Sequence, residues 1–111
     1  LTDATVDNGC PWVVPGLHVR GTLAHEWTPL GFRCLVDPPD AVPLELRAGS
    51  IAVFSSLTPH RTGPNRTTEV RKAYILQYAP DGATMYPAQG DAVACDVPER
   101  QYPILVRGVP V

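Results

Sequence analysis

Three residues in the middle of the chain have side chains suited to ligand chemistry. His60 carries an imidazole, which in its neutral form is a common ligand for metal ions. Arg71 follows eleven positions later, and its planar fork of N–H donors matches the two oxygens of a carboxylate. Thr62 adds a hydroxyl that can donate a further hydrogen bond. By residue type alone, this part of the chain permits metal binding and carboxylate binding.

Each of these residues also has an ordinary structural interpretation. A single histidine seldom marks a site, so His60 taken alone is most simply a loop residue. Arg71 fits equally well as a strand arginine paired with an acid such as Glu69. Thr62 and Asn65 are favoured as turn formers, because a Thr-Gly-Pro-Asn segment needs such residues to fold back. The functional interpretation therefore depends on the surrounding pattern.

The elements that must position these residues are expected to be short β-strands. Thirteen Pro and nine Gly are spread through the 111 residues, and no stretch of a dozen residues keeps the apolar spacing of a helix without interruption. This length is enough for one core. We therefore expect residues 1–111 to form a single, mainly β domain, arranged as a sandwich or an open barrel.

Local patterns predict where the strands lie. Asn8-Gly9 predicts a tight turn that leads into a strand, because both residues tolerate positive φ. Residues 15–41 are expected to be a long irregular connection that has room for a short helix or can lie over the mouth of a site. The clearest strand carries Arg71 and has apolar residues on both faces. Strands are predicted at 10–14, 42–47, 51–54, 70–78 and 102–109.

Composition narrows the range of partners. The formal net charge is −2 and the basic residues are scattered, so nucleic acid is not expected as a partner. No apolar run approaches the roughly 18 residues of a membrane span, and no secretory leader is visible. The three cysteines form no CxxC pair, which predicts reduced, structural thiols. We expect a cytoplasmic protein without a membrane partner.

Several segments carry a family pattern. They are Asp3-Ala4-Thr5, Asn8-Gly9-Cys10, Val14-Pro15-Gly16-Leu17-His18, Ala48-Gly49-Ser50, and His60-x-Thr62-Gly63-Pro64-Asn65 followed by Arg71. Their order and spacing resemble the phytanoyl-CoA dioxygenase family. The resemblance implies a double-stranded β-helix, a jelly-roll or cupin-like barrel. It also implies an oxygenase whose iron is held by a His-x-Asp pair and a more C-terminal His, with 2-oxoglutarate chelating the metal and anchored on Arg.

Carried over residue by residue, the resemblance assigns roles to the three residues named first. His60 matches the distal ligand of Fe(II), and Arg71 matches the residue that binds the far carboxylate of 2-oxoglutarate. Thr62 matches a hydroxyl residue that supports the same carboxylate. The implied activity is hydroxylation of a small organic or acyl substrate. Leu17 stands where the family usually has Ser, so His18 stays open as a residue near the site.

One part of the family pattern is absent. None of His18, His25 and His60 is followed two positions later by Asp or Glu, so the sequence has no His-x-Asp pair. The chain also begins without Met, and we expect it to be the C-terminal part of an incomplete barrel. One histidine cannot hold Fe(II) by itself, so this chain alone is expected to be inactive.

Two alternatives to an oxygenase fragment stay open. The chain can be a non-catalytic β-barrel module that binds a carboxylate or assembles with itself. It can also be a small metal protein in which two chains supply ligands across a symmetric interface. An exposed strand face between residues 74 and 78 predicts a homo-oligomer, with a dimer as the simplest form.

Overall fold

A three-stranded antiparallel sheet organises the first part of the chain. The computed structural model describes residues 1–85, 87 and 90–111, in two units, Leu1–Ile75 and Leu76–Val111. In the first unit β1 (Pro11–Val13) is the central strand, between β4 (Val42–Pro43) and β5 (His60–Thr62). The register sets Val13 opposite His60 and Pro11 opposite Thr62. The central strand therefore fixes the position of the predicted site strand.

The turn before β1 is held by its own side chains. The backbone N–H of Thr5 donates to Asn8 Oδ1 at 2.8 Å, and the backbone N–H of Asn8 donates to Thr5 Oγ1 at 3.3 Å. Asn8 Nδ2 also donates to the carbonyl oxygen of Asp3. Short polar side chains stabilise turns in this way. The predicted tight turn at Asn8-Gly9, leading into a strand, is confirmed.

Burial is concentrated where this turn enters the sheet. Among the described residues, the buried apolar side chains are Cys10, Val13 and Val14, and Thr58 is the buried polar one. The backbone N–H of Val14 donates to the carbonyl oxygen of Pro59 at 3.0 Å, so the chain stays paired beyond the end of β1. The small core therefore lies along β1, the strand that pairs with the one that carries His60.

The long connection contains ordered structure. A 3-10 helix spans Leu17–Arg20, and β2 (Glu26–Thr28) pairs with β3 (Gly31–Arg33) in an antiparallel hairpin. Thr28 Oγ1 donates to the carbonyl oxygen of Gly31 at 2.7 Å, which closes the hairpin turn. The short helix that the sequence allowed is confirmed, and the hairpin is an addition to it.

Two predicted strands are wrong. Residues 51–54 and 70–78 adopt no strand conformation, although both have strand-like composition. A strand needs a partner for its backbone groups. In the described chain, the hydrogen bonds of the second segment to a neighbour are confined to Lys72, whose carbonyl oxygen accepts from the N–H of Thr2 and whose N–H donates to Thr2 Oγ1. Val70, Tyr74 and Ile75 remain 71%, 78% and 78% exposed. Strand-like composition is therefore not enough to form a strand where no partner strand lies alongside.

Other boundaries shift for similar reasons. The strand expected at 42–47 shortens to β4, and Leu46 forms an isolated bridge with Ala4. β5 occupies residues that the sequence assigned to a connection. In the second unit, the strand expected at 102–109 is instead a hairpin of β8 (Leu105–Val106) and β9 (Val109–Pro110). Arg107 and Gly108 have φ of 51° and 79°, which reverses the chain between them.

The fold class agrees with the sequence at the coarse level. The second unit also holds a hairpin of β6 (Thr84–Met85) and β7 (Val93–Ala94), so every paired element in the described chain is antiparallel β. No closed barrel is present among the described residues, and the jelly-roll and single-domain expectations stay predictions. None of the helices described is long and apolar enough to cross a membrane.

Gly9 is the position where the backbone leaves no room for a side chain. Its φ is +82°, and a Cβ built there would lie 2.5 Å from the carbonyl oxygen of Gly63. Gly16 has a matching φ of +79° but open space around it. Substitution by Ala at either position forces a left-handed backbone at about 1–2 kcal/mol. Overpacking adds roughly 1–3 kcal/mol at Gly9 alone.

We therefore expect Gly9→Ala to lower the free energy of unfolding clearly more than Gly16→Ala. Urea denaturation followed by tryptophan fluorescence measures both variants against the parent chain. Equal losses in the two variants would contradict the close packing of Gly9 against residues 63–65.

Candidate functional site

His60 is oriented by the backbone of its own loop. It opens β5 opposite Val13, and its Nδ1 lies 2.9 Å from the carbonyl oxygen of Thr58. The tautomer with a proton on Nδ1 donates this bond and leaves the lone pair of Nε2 free. The ring of Phe54 packs beside the imidazole, with centroids 5.0 Å apart. This arrangement presents one ring nitrogen for a ligand, as metal-binding histidines do.

Thr62 and Arg71 share an open cleft. The cleft has a volume of about 490 Å³. It is lined by both residues, by Asn8 and Gly9, and by residues of the loop that connects Thr62 to Arg71. Arg71 is half-buried in its wall. The structure thus brings together the two residues that the sequence assigned to one carboxylate.

Arg71 forms no ion pair among the described residues, although Glu69 lines the same cleft. In the described part of the chain the ion pairs are Arg33–Glu26 and Arg61–Asp37. Arg71 forms neither of these, so the ordinary interpretation of a strand arginine paired with Glu69 is wrong. A half-buried, unpaired guanidinium on a cleft wall is suited to an anionic ligand, because the fork of donors is preorganised for a carboxylate.

The first half of the loop that joins Thr62 to Arg71 is held against the N-terminal turn. The N–H of Gly63 donates to the carbonyl oxygen of Cys10 at 3.2 Å, and the N–H of Arg66 donates to that of Asp7 at 2.8 Å. Within the loop, Asn65 Nδ2 donates to the carbonyl oxygen of Glu69, and Asn65 Oδ1 accepts from the N–H of Thr67. Asn65 therefore acts as a turn former.

Cys10 lies fully buried where this loop meets the N-terminal turn. Burial raises the pKa of its thiol above the ordinary value of 9.0, and the Glu45 carboxylate acts in the same direction. The positive charge of Arg71 opposes both effects on this pKa. Glu45 itself is held by the N–H of Val6, which donates to its Oε1 at 3.0 Å. The thiol is therefore neutral at pH 7 and serves packing.

His60 is set apart from the other two predicted site residues. It borders a second cleft, of about 290 Å³, that lies against the β2–β3 hairpin. Alternation along β5 still directs the side chains of His60 and Thr62 to the same face of the strand. The site is therefore one strand face that connects two clefts.

An iron centre is not complete within these residues. Iron of this type needs three converging ligands of the His and carboxylate kind. Across residues 1–85, 87 and 90–111, no three His, Cys, Asp or Glu side chains come together in a way that could hold a metal ion. The donor set described here does not fit an iron site by itself, and we derive no chemical step through iron from it.

The sequence interpretation missed the hairpin beside His60. The signal was available, because Thr28-Pro29-Leu30-Gly31 has Pro at the second and Gly at the fourth turn position, as type I turns favour. The Arg61–Asp37 pair could not be found in this way, since the two residues are 24 positions apart.

Together, these observations define a mainly antiparallel β protein with a cleft that contains an arginine without an ion pair among the described residues. Residues 1–73, nearly all of the first unit, match the family described as phytanoyl-CoA dioxygenase. The chain belongs to the phytanoyl-CoA dioxygenase family, and the resemblance seen in its motifs is confirmed. The family is one of dioxygenases that generally use Fe(II) and 2-oxoglutarate.

Individual relatives agree with this assignment. The chain is 36% identical over 75 residues to the methylphosphonate hydroxylase of Gimesia maris, covering 68% of this chain and 29% of that protein. It is 31% identical over 83 residues to the phytanoyl-CoA dioxygenase of Arabidopsis thaliana, again covering 68% and 29%. A third relative, phytanoyl-CoA dioxygenase domain-containing protein 1 of Mus musculus, is 29% identical over 96 residues, covering 78% and 33%.

The chain spans a third or less of the length of these relatives. No solved structure matches it.

The raised pKa of Cys10 predicts a loss of stability in alkali. The folded state holds the thiol proton more tightly than the unfolded chain does. Its stabilising contribution is therefore complete below the unfolded value and declines as pH rises through the folded pKa. Urea midpoints measured between about pH 7 and about pH 10 should fall more steeply for the parent chain than for Cys10→Ala. Parallel curves would show that the buried thiol does not control this dependence.

Proposed function

We propose that this chain supplies the 2-oxoglutarate-binding part of an Fe(II)- and 2-oxoglutarate-dependent dioxygenase. The observation that carries the proposal is that Thr62 and Arg71 line one cleft, with Arg71 in no ion pair among the described residues. Membership of the phytanoyl-CoA dioxygenase family supports it. In this proposal the chain is the C-terminal portion of the enzyme, within a double-stranded β-helix.

The two cleft residues would divide the work of binding. The guanidinium of Arg71 would donate two N–H bonds to the far carboxylate of 2-oxoglutarate, and the hydroxyl of Thr62 would donate a third. The hydrogen bonds at Gly63 and Arg66 hold the Thr62 side of this loop against the N-terminal turn, which would limit the movement of these donors. Fixed donors bind a dicarboxylate more tightly than mobile ones, since less freedom is lost on binding.

His60 would supply one ligand to Fe(II) through Nε2. The other two ligands would come from outside these 111 residues, because the sequence contains no His-x-Asp pair and the described donors do not converge. The chain alone would then be inactive, and the complete enzyme would hydroxylate a small organic or acyl substrate. The names of the relatives include both a methylphosphonate hydroxylase and a phytanoyl-CoA dioxygenase, so the family does not fix the substrate.

A second candidate is a non-catalytic module that binds a carboxylate and assembles with itself. The specific observation in its favour is that a cleft lined by Thr62 and Arg71 occurs without converging metal ligands in the described residues. The exposure of Tyr74 and Ile75 supports self-association, and a homo-oligomer belongs to this candidate. Both candidates need Arg71, and they differ in whether metal takes part.

The proposal predicts that the chain binds 2-oxoglutarate without metal and that Arg71→Ala abolishes most of this affinity. Hydrogen bonds between charged groups contribute about 1.5–3 kcal/mol each, so the dissociation constant should rise roughly 10-fold or more. Isothermal titration calorimetry, or NMR titration where binding is weak, measures the change. Arg71→Lys should restore part of the affinity, because it keeps the charge but loses the planar fork.

Arg66→Ala is the matched control, since Arg66 belongs to the same loop but does not line the cleft. Its affinity should equal that of the parent chain. Equal weakening in the Arg66 and Arg71 variants would reduce the effect to net charge and would contradict the assignment of Arg71.

A further inference from the structure

The second cleft differs in character from the first. It lies between the β2–β3 hairpin and the strands β1 and β5, and its volume is about 290 Å³. Ligand pockets usually measure roughly 300–1,000 Å³, so this cleft suits a short segment of a molecule. Its walls are largely apolar. They include the side chains of Trp12, Val14, Leu30, Phe32 and Leu35.

Aromatic contacts and side-chain hydrogen bonds stabilise the β2–β3 hairpin. The rings of Trp27 and Phe32 meet edge to face with centroids 5.1 Å apart, and the ring of His25 meets Phe32 at 4.9 Å. Thr28 closes the turn through its hydroxyl, which also accepts from the N–H of Leu30. Aromatic contacts of this geometry add to the stability of a hairpin. Phe32 therefore lines the cleft from a braced position.

The charges at this cleft are already neutralised. Arg33 Nη2 lies 2.6 Å from Glu26 Oε1, and Arg61 Nη1 lies 2.8 Å from Asp37 Oδ1. The guanidinium carbon of Arg61 also sits 5.9 Å from the centre of the Trp12 ring. Each arginine that borders the cleft thus has a carboxylate partner, whereas Arg71 at the first cleft has none. Neither arginine among the described residues of this cleft is left without a carboxylate partner.

His60 connects this cleft to the proposed chemistry. Its side chain borders the cleft directly, so a group bound there lies beside the residue to which we assign an iron ligand. We propose that this cleft is the substrate subsite and takes an uncharged hydrocarbon segment, with the β2–β3 hairpin determining specificity. This inference rests on the proposed function, because that function makes the neighbourhood of His60 the reaction site.

Straight-chain alcohols test the proposal on the 111-residue chain. In 1H–15N NMR titrations, 1-butanol, 1-pentanol and 1-hexanol should shift the amides of Leu30, Phe32 and Leu35. Affinity should rise roughly fourfold for each added CH2, as expected when the group leaves water. Hexanoate should bind more weakly than 1-hexanol, since its carboxylate finds no unpaired cation at this cleft.

Two variants separate the apolar wall from the charges. Phe32→Ser should weaken 1-hexanol several-fold, whereas Tyr74→Ser, an exposed aromatic outside the cleft, should leave it unchanged. Asp37→Asn releases Arg61, so it should strengthen hexanoate several-fold without changing 1-hexanol. Retained binding of 2-oxoglutarate by Phe32→Ser would show that the variant remains folded around the first cleft.

Tighter binding of hexanoate than of 1-hexanol, measured from the shifts of the hairpin amides in the parent chain, would overturn the proposal, because it would make this cleft an anion site. Amide shifts that avoid the hairpin would also overturn it. These results are distinct from a failure of the proposed function, which would appear as a loss of 2-oxoglutarate binding at Thr62 and Arg71. Alcohol binding at the hairpin without 2-oxoglutarate binding would leave an apolar site but remove its role as a substrate subsite.

Discussion

The central strand β1 is the constraint on which the site depends. Its pairing with β5 sets His60 opposite Val13 and Thr62 opposite Pro11, so a shift by one residue would move both side chains to the other face. The register is held just before the strand, where Gly9 meets the backbone of residues 63–65 without space for a Cβ. The same contact forms one wall of the cleft that contains Arg71. The contact of Gly9 with residues 63–65 therefore affects both the local packing and the shape of the first cleft.

The two clefts divide the surface by charge. At the first, Arg71 is half-buried and unpaired, which favours a carboxylate ligand. At the second, Arg33 and Arg61 are each held by a carboxylate, and the walls are apolar. Surface ion pairs contribute little to stability. The proposed effect of these two pairs is on ligand binding, because they leave neither arginine free for an anionic ligand. A small acid and a hydrocarbon segment would in this way be directed to different clefts along the His60 strand.

The sequence predicted the parts of the fold that depend on local chemistry. Asn8-Gly9 forms the expected turn because its side-chain bonds lie within a few residues. The strand expected around Arg71 does not form. Strand-like composition cannot reveal whether a partner strand lies alongside. β5 was missed for the converse reason, because pairing with β1 imposes strand geometry on a segment with turn-like residues.

The sequence predicted only those residues of the candidate site that belong to the family motifs. The family pattern selected His60, Thr62 and Arg71, and the cleft brings the last two together. The pairing of Arg61 with Asp37 and the packing of the hairpin against His60 depend on contacts between distant segments. No spacing in the sequence encodes those contacts.

The central claim is that these residues hold the cosubstrate side of a dioxygenase site and one iron ligand. Anaerobic titration of the 111-residue chain with Fe(II) in the presence of 2-oxoglutarate, followed by visible absorption, tests it most directly. One imidazole cannot retain the metal against water, so the account predicts no charge-transfer band even though 2-oxoglutarate binds. Absence of 2-oxoglutarate binding, or equal affinity for it in Arg71→Ala, would contradict the central claim. A visible band that saturates with Fe(II) would contradict the part of the account that takes the other two iron ligands from outside these 111 residues.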